Sequence, residues 1–94
     1  MSITVILPSA LVDHAGGQRS LDLAQPDGMT VEALLDALAV EHPAVVRCIR
    51  DETGAVRPHV NVFIDGDECR SVGGISAHVP EDAVVHVIPS VSGG

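Results

Sequence analysis

The sequence predicts an α+β domain, a mixed sheet of about five strands covered on one face by a single main helix. Three observations predict it. Val60, Val62 and Ile64 alternate with Asn61 and Phe63, the two-residue period of a strand with two distinct faces. Val31, Leu34, Leu35 and Leu38 recur at the three-and-four spacing of one helical stripe. At 94 residues and 46% hydrophobic content there is room for one domain with one core, and at 1% aromatic that core is aliphatic, with Phe63 its only large ring.

Ser2 to Leu7 is the first strand, with Ile3, Val5 and Leu7 on one face, Thr4 and Ile6 on the other, and Pro8 ending it. His14 to Gly17 reads as a loop. Gly16-Gly17 is followed by no Lys-Ser or Lys-Thr, so it is no phosphate cradle. Gln18 to Leu23 is a second strand, antiparallel to the first across a long connection. Gln25 to Gly28 turns the chain into the helix, which Thr30 caps and whose dipole favours Glu32 in the first turn. His42-Pro43 stops it.

Ala44 to Arg50 reads as a short second helix or an irregular turn, with Val45, Val46 and Ile49 pointing inward. Asp51 to Gly54 is a loop. Pro58 to Ile64 is the strongest strand, and Asp65-Gly66 turns it into a short strand from Glu68 to Arg70. Val72 to Val79, including Gly73-Gly74, reads as loop. Pro80 to Asp82 leads into the last strand, Ala83 to Ile88. With one helix available, the other sheet face is expected to be open. If Val85 and Val87 face the helix, then Val84, His86 and Ile88 face out near Phe63 and Ile6. Phe63, His86, Ile88 and Ile6 are therefore the candidate docking patch.

The chain divides into a domain over residues 1–88 and a flexible tail over 89–94, Pro89-Ser90-Val91-Ser92-Gly93-Gly94. At glycine usage near 7%, a final Gly-Gly arises by chance in roughly 0.5% of chains, so the ending carries information. Pro89 holds Ile88 extended and has no amide to continue a ladder, so the chain is expected to leave the fold there. Six residues span about 20 Å at ~3.3 Å each, enough to reach a buried site in a docked partner. Gly93 and Gly94 put no side chain beside the final carboxylate, which suits a narrow tunnel. Ionised at neutral pH, that carboxylate resists nucleophiles until it is joined to a nucleotide phosphate as a mixed anhydride. The chain would be the substrate of that chemistry, not its catalyst.

Net charge is −8 and every basic residue is an arginine. That balance disfavours nucleic acid and anionic membranes and suits a partner with a basic docking face. With no lysine, only the N-terminal amine could accept an isopeptide bond from another copy. The N-terminus lacks the pattern of a signal peptide and no run approaches the ~20 apolar residues of a membrane span, so a cytoplasmic protein is expected. Cys48 and Cys69 lack C-x-x-C spacing and are expected to be reduced, partly buried thiols. His14, His42, His59, His78 and His86 match no ligand spacing and no nucleophile is paired with them, so neither a metal site nor a catalytic site is expected.

Residues 57–68, the turn from Glu81 to Val85 and the ending from Pro89 to Gly94 resemble the sulfur-carrier branch of the ubiquitin-like β-grasp proteins. The resemblance spans nearly the whole chain. It implies that an E1-like enzyme, using ATP, adenylates Gly94 and that the terminus becomes a thiocarboxylate, with Gly93 its side-chain-free neighbour. It implies no bound cofactor, and sulfur delivery to a biosynthetic enzyme. The loop from His14 to Ser20 and the length are most similar to the cysteine-biosynthesis carriers. There the acceptor is a pyridoxal-phosphate enzyme, and a metalloprotease trims the added cysteine. The small subunit of molybdopterin synthase shares the same tail and is the alternative. Two other readings use the same sequence: a modifier that forms isopeptide bonds, and a plain binding module with an inert tail.

Overall fold

The computed structural model describes residues 2–24 and 28–89. Strands β1 (Ser2–Ile6) and β2 (Ser20–Ala24) form the expected antiparallel pair, Ser2 opposite Ala24 and Ile6 opposite Ser20. The long connection is more ordered than a loop. Pro8, extended at φ −71°, starts a one-turn helix α1 (Ser9–Val12), and a 3-10 turn (Asp13–Ala15) closes through Gly16 in the left-handed region. Proline fits the head of a helix because its missing amide would have no partner there. This turn buries Ala15 and half-buries Leu11 against the core.

Two-residue strand β3 (Met29–Thr30) leads into helix α2 (Val31–Glu41), and Thr30 Oγ1 accepts from the Ala33 amide at 3.1 Å, the expected cap. Val31, Leu34, Leu35 and Leu38 are all at most 2% exposed. The segment after His42 is a regular helix, α3 (Pro43–Ile49), with Pro43 in its first turn and Val45, Val46 and Ile49 buried. The sheet is thus covered by the main helix and by a short second one, the first of the two forms the sequence allowed for this segment. Pro43 ended the first helix and, for the same reason as Pro8, began the next.

Strand β4 (Val60–Ile64) turns through Asp65 (φ 49°) and Gly66 (φ 95°) into β5 (Asp67–Glu68), with Phe63 opposite Glu68. The expected strand from Glu68 to Arg70 stops early, because the Glu68 carboxylate accepts from the Arg70 amide at 2.8 Å and winds Cys69–Ser71 into a 3-10 turn. Strand β6 (His78–Val79) pairs with β3 in a two-stranded sheet, where the sequence suggested only loop. Pairs this short carry no alternation to read. Asp82, at φ 62°, ends the last turn and accepts from the Ser2 amide.

The last strand, β7 (Val84–Pro89), lies between β1 and β4, parallel to the first and antiparallel to the second, so the main sheet runs β2-β1-β7-β4-β5. The first and last strands lie side by side at its centre, with α2 and α3 packed across one face. That is the β-grasp arrangement. Ile3, Val5, Val62, Val85 and Val87 meet the helices in one apolar cluster, and among the described residues no polar side chain is buried.

The strand extends one residue past Ile88, and Pro89 stands opposite Val60. The Asp65 amide bonds to the Val84 carbonyl at 2.9 Å, which sets the phase of the ladder: 61/88 and 63/86 are hydrogen-bonded pairs and 60/89 is not. The amide that Pro89 lacks would point away from β4. Proline there costs that ladder nothing, which is why it ends the strand as a member of it and not as its terminator.

Candidate functional site

The pleat of β7 divides it cleanly. Val85 and Val87 are buried against the helices, while Val84 is 37% and Ile88 45% exposed and His86 is exposed between them. Register then builds the patch. His86 lies opposite Ile6 on one side and Phe63 on the other, so these three form a row across the middle of the sheet. The row continues to Ser20 on β2 and Glu68 on β5. Ile88 lies opposite Asn61, and Val84 opposite Thr4. Ile6 and Phe63 are half-buried, their outer faces open. All four side chains expected in the docking patch therefore occupy one face, with Val84 extending it. No element among the described residues covers them.

Polar bonds frame this apolar strip on both sides. Toward β2, Thr4 Oγ1 donates to Asp22 Oδ1 at 3.0 Å. Toward β5, Arg70 Nη1 donates to Glu68 Oε1 at 2.9 Å and to Asn61 Oδ1 at 3.3 Å. The other terminal nitrogen of Arg70 donates to the Arg57 and Val60 carbonyls at 2.8 and 2.9 Å. Arg70 thus pins the start of β4 while holding the rim of the face. Sequence reasoning did not single it out. Its one signal is an arginine two residues from Glu68, across a hairpin from a strand.

Pro89 stands at the end of β7, beside an apolar cleft of about 200 Å³ formed with Pro8, Leu11, Cys48, His59, Val60 and Val87. Ser90, Val91, Ser92, Gly93 and Gly94, the rest of the expected tail, lie outside the described residues. Cys48 is half-buried and Cys69 fully buried, both free, and burial pushes the Cys69 thiol above the usual range. Among the described residues, no three His, Cys, Asp or Glu side chains converge as metal ligands do.

The model described as the ThiS family matches residues 5–94, from the first strand through the final glycine. The chain belongs to the ThiS family. It is a ubiquitin-like sulfur-carrier sequence, as the β4 segment and the Gly-Gly ending suggested. It is 27% identical over 96 residues to the "Sulfur carrier protein CysO" of Mycobacterium tuberculosis, covering 100% of each. It is 35% identical over 79 residues to "Small archaeal modifier protein 3" of Haloferax volcanii, 83% of this chain and 84% of that one. Among solved structures, a chain of the Amycolatopsis orientalis BexX/CysO complex superposes with a TM-score of 0.80 at 28% identity, over 98% of this chain and 99% of that one. Sulfur-carrier relatives of this kind are small carrier proteins rather than catalysts.

Proposed function

We propose that this chain carries sulfur as a C-terminal thiocarboxylate on Gly94. The observation that carries the reading is the family match running through Gly94, together with full-length similarity to proteins named sulfur carriers. The Gly94 carboxylate attacks the α-phosphate of ATP in an E1-like enzyme and releases pyrophosphate. A sulfur nucleophile then displaces AMP from the acyl carbon, leaving the thiocarboxylate. ATP is the activating enzyme's substrate, and this chain holds no cofactor of its own. Gly93 lets the terminus enter the partner's site, and Ser90, Val91 and Ser92 supply reach from Pro89, up to about 16 Å for five residues.

The body's part is to dock. The Ile6, Phe63, His86 and Ile88 face, extended by Val84, is the apolar surface a partner covers while the tail enters its site. Support comes from the Amycolatopsis relative, solved in complex with a second protein. The acceptor we favour is a biosynthetic enzyme of the pyridoxal-phosphate cysteine-synthase type, with a metalloprotease trimming the product from the carrier, since relatives matched over their full length bear the CysO name. Activation of the terminus needs ATP, and we place the chain in the cytoplasm. Among the described residues no helix is long and apolar enough to cross a membrane.

The Haloferax relative favours a second reading, attachment to target lysines by an isopeptide bond. Activation is the same and the last nucleophile differs. One added residue after Gly94 separates the carrier from an inert-tail module: the extended chain should acquire no thiocarboxylate with the activating enzyme, ATP and a sulfur donor. Conversion of the extended chain without prior trimming overturns the reading, and lysine-linked conjugates in host extract would move the assignment to a modifier.

A further inference from the structure

Three of the chain's five basic residues stand together. Arg47, Arg50 and Arg57 line one cleft of about 350 Å³ with Val46, Asp51 and Glu52, at the junction of α3 and the loop that leads to β4. They are not equally occupied. Arg50 is fixed: its side chain is 15% exposed, its Nε donates to the Gly54 carbonyl at 3.2 Å, and its Nη1 donates to Asp36 at 2.7 Å. Arg57 donates only its Nε, to the Arg47 carbonyl at 3.0 Å, and among the described residues its two terminal nitrogens meet no acceptor. The exposed Arg47 guanidinium meets none among them either.

The nearby carboxylates do not use these donors. Asp51 accepts from the Thr53 amide and hydroxyl and from the Ala55 amide, closing its own loop. Glu52 is exposed and bonds to nothing among the described residues. With Asp36, these acids balance the three arginines, so the cleft is locally neutral. The other two arginines and ten carboxylates carry the whole net charge of −8. An incoming carboxylate is repelled by most of this molecule and meets open guanidinium forks here.

The cleft also lies near the root of the tail. The Val60 amide donates to the Arg57 carbonyl at 3.0 Å, and Val60 is the β4 residue opposite Pro89. Pro89 is the last described residue, so residues 90–94 follow from this end of the sheet. We propose that Arg47 and Arg57 take carboxylate side chains at the mouth of the site that receives the tail, fixing the orientation in which the carrier docks. The inference rests on the carrier reading above. It gives the interface two signs: the receiving protein is acidic at the tail root, whatever basic surface meets the acids elsewhere. Such contacts govern encounter and orientation and leave the chemical step alone.

The test is the kinetics of thiocarboxylate formation by the host's E1-like enzyme, with ATP and a sulfur donor, read by intact-protein mass. For Arg47→Glu/Arg57→Glu, KM should rise about tenfold with kcat within about twofold, and the gap from the unaltered chain should narrow in high salt. Arg47→Lys/Arg57→Lys, which keeps charge and loses the fork, should fall between. Arg47→Glu alone removes no internal bond of its guanidinium, so its rise in KM cannot be attributed to misfolding. Unchanged KM for that variant overturns the proposal. So does a concentration-dependent dimer that Arg47→Glu abolishes without moving KM, which assigns the cleft to a second copy. If the unaltered chain is itself never converted, the carrier reading fails first, and the inference fails with it.

Discussion

Val87 and Ile88 are neighbours on one strand, and the same aspartate should do opposite things at each. Val87 is 4% exposed and lies in the apolar cluster under the helices, where no polar side chain among the described residues is buried. Val87→Asp gives up about 2 kcal/mol of apolar burial. It also places a carboxyl among aliphatic side chains without a partner, which costs at least ~2–4 kcal/mol more even when the group protonates. A chain of 94 residues has about 5–14 kcal/mol of stability in all, so Val87→Asp should be largely or wholly unfolded. Ile88 is already 45% exposed and faces Asn61 across the pair. There the lost burial is about 1 kcal/mol, and the poor strand preference of aspartate adds up to ~1 more. Ile88→Asp should therefore stay folded and lose affinity for the activating enzyme, because its carboxylate sits in the apolar strip. Urea titration by circular dichroism reads the first effect, and calorimetric binding to the activating enzyme the second. Equal destabilisation of the two variants would refute the assignment of faces. A folded Ile88→Asp that binds as tightly as the unaltered chain would refute the open face as the docking surface.

Three further outcomes test particular features. Gly28 has φ +74°, and a Cβ there would stand 2.7 Å from the Val79 carbonyl oxygen, so Gly28→Ala should destabilise by about 1–3 kcal/mol or more in denaturant titration. The Thr53 hydroxyl, with backbone amides and Arg57, holds the Asp51 carboxyl below the usual carboxylate range. Its folded pKa lies below the unfolded one, so its stabilisation is present above about pH 4 and is lost as pH falls through the folded value. Asp51→Ala should flatten the acid limb of the stability profile without changing its shape at neutral pH. Thiol labelling at pH 8 should modify half-buried Cys48 well before Cys69, whose thiol is inaccessible and raised by burial, and unfolding should equalise them.

What could be read from the sequence was what periodicity encodes. The α2 stripe, the alternation of β4 and β7 and the antiparallel β1 and β2 all follow from one apolar face repeated over several residues. The open-face residues were legible for the same reason, since in a strand the residues that are not inward are outward. Elements of two residues, β3 and β6, have no period to show, and they meet only because α2 and the 3-10 turns bring residues 29 and 79 together. Pro8 and Pro43 were read correctly as the ends of a strand and of a helix, but each also heads a new helix, which the missing amide permits equally well. Pro89 was misplaced because its effect depends on ladder phase, which register sets and sequence does not. The arginine cleft depends on long-range folding, in which residues ten apart share a hydrogen bond. The chemistry expected of Gly93 and Gly94 comes from the sequence alone, since both lie outside the described residues.

The most direct test is intact-protein mass spectrometry of the chain after incubation with its host's E1-like enzyme, ATP and a sulfur donor. The carrier account predicts a mass gain matching the replacement of one oxygen by one sulfur, localised by fragmentation to Gly94 and absent without ATP. An unchanged mass, with an enzyme shown to be active on another carrier, would contradict it.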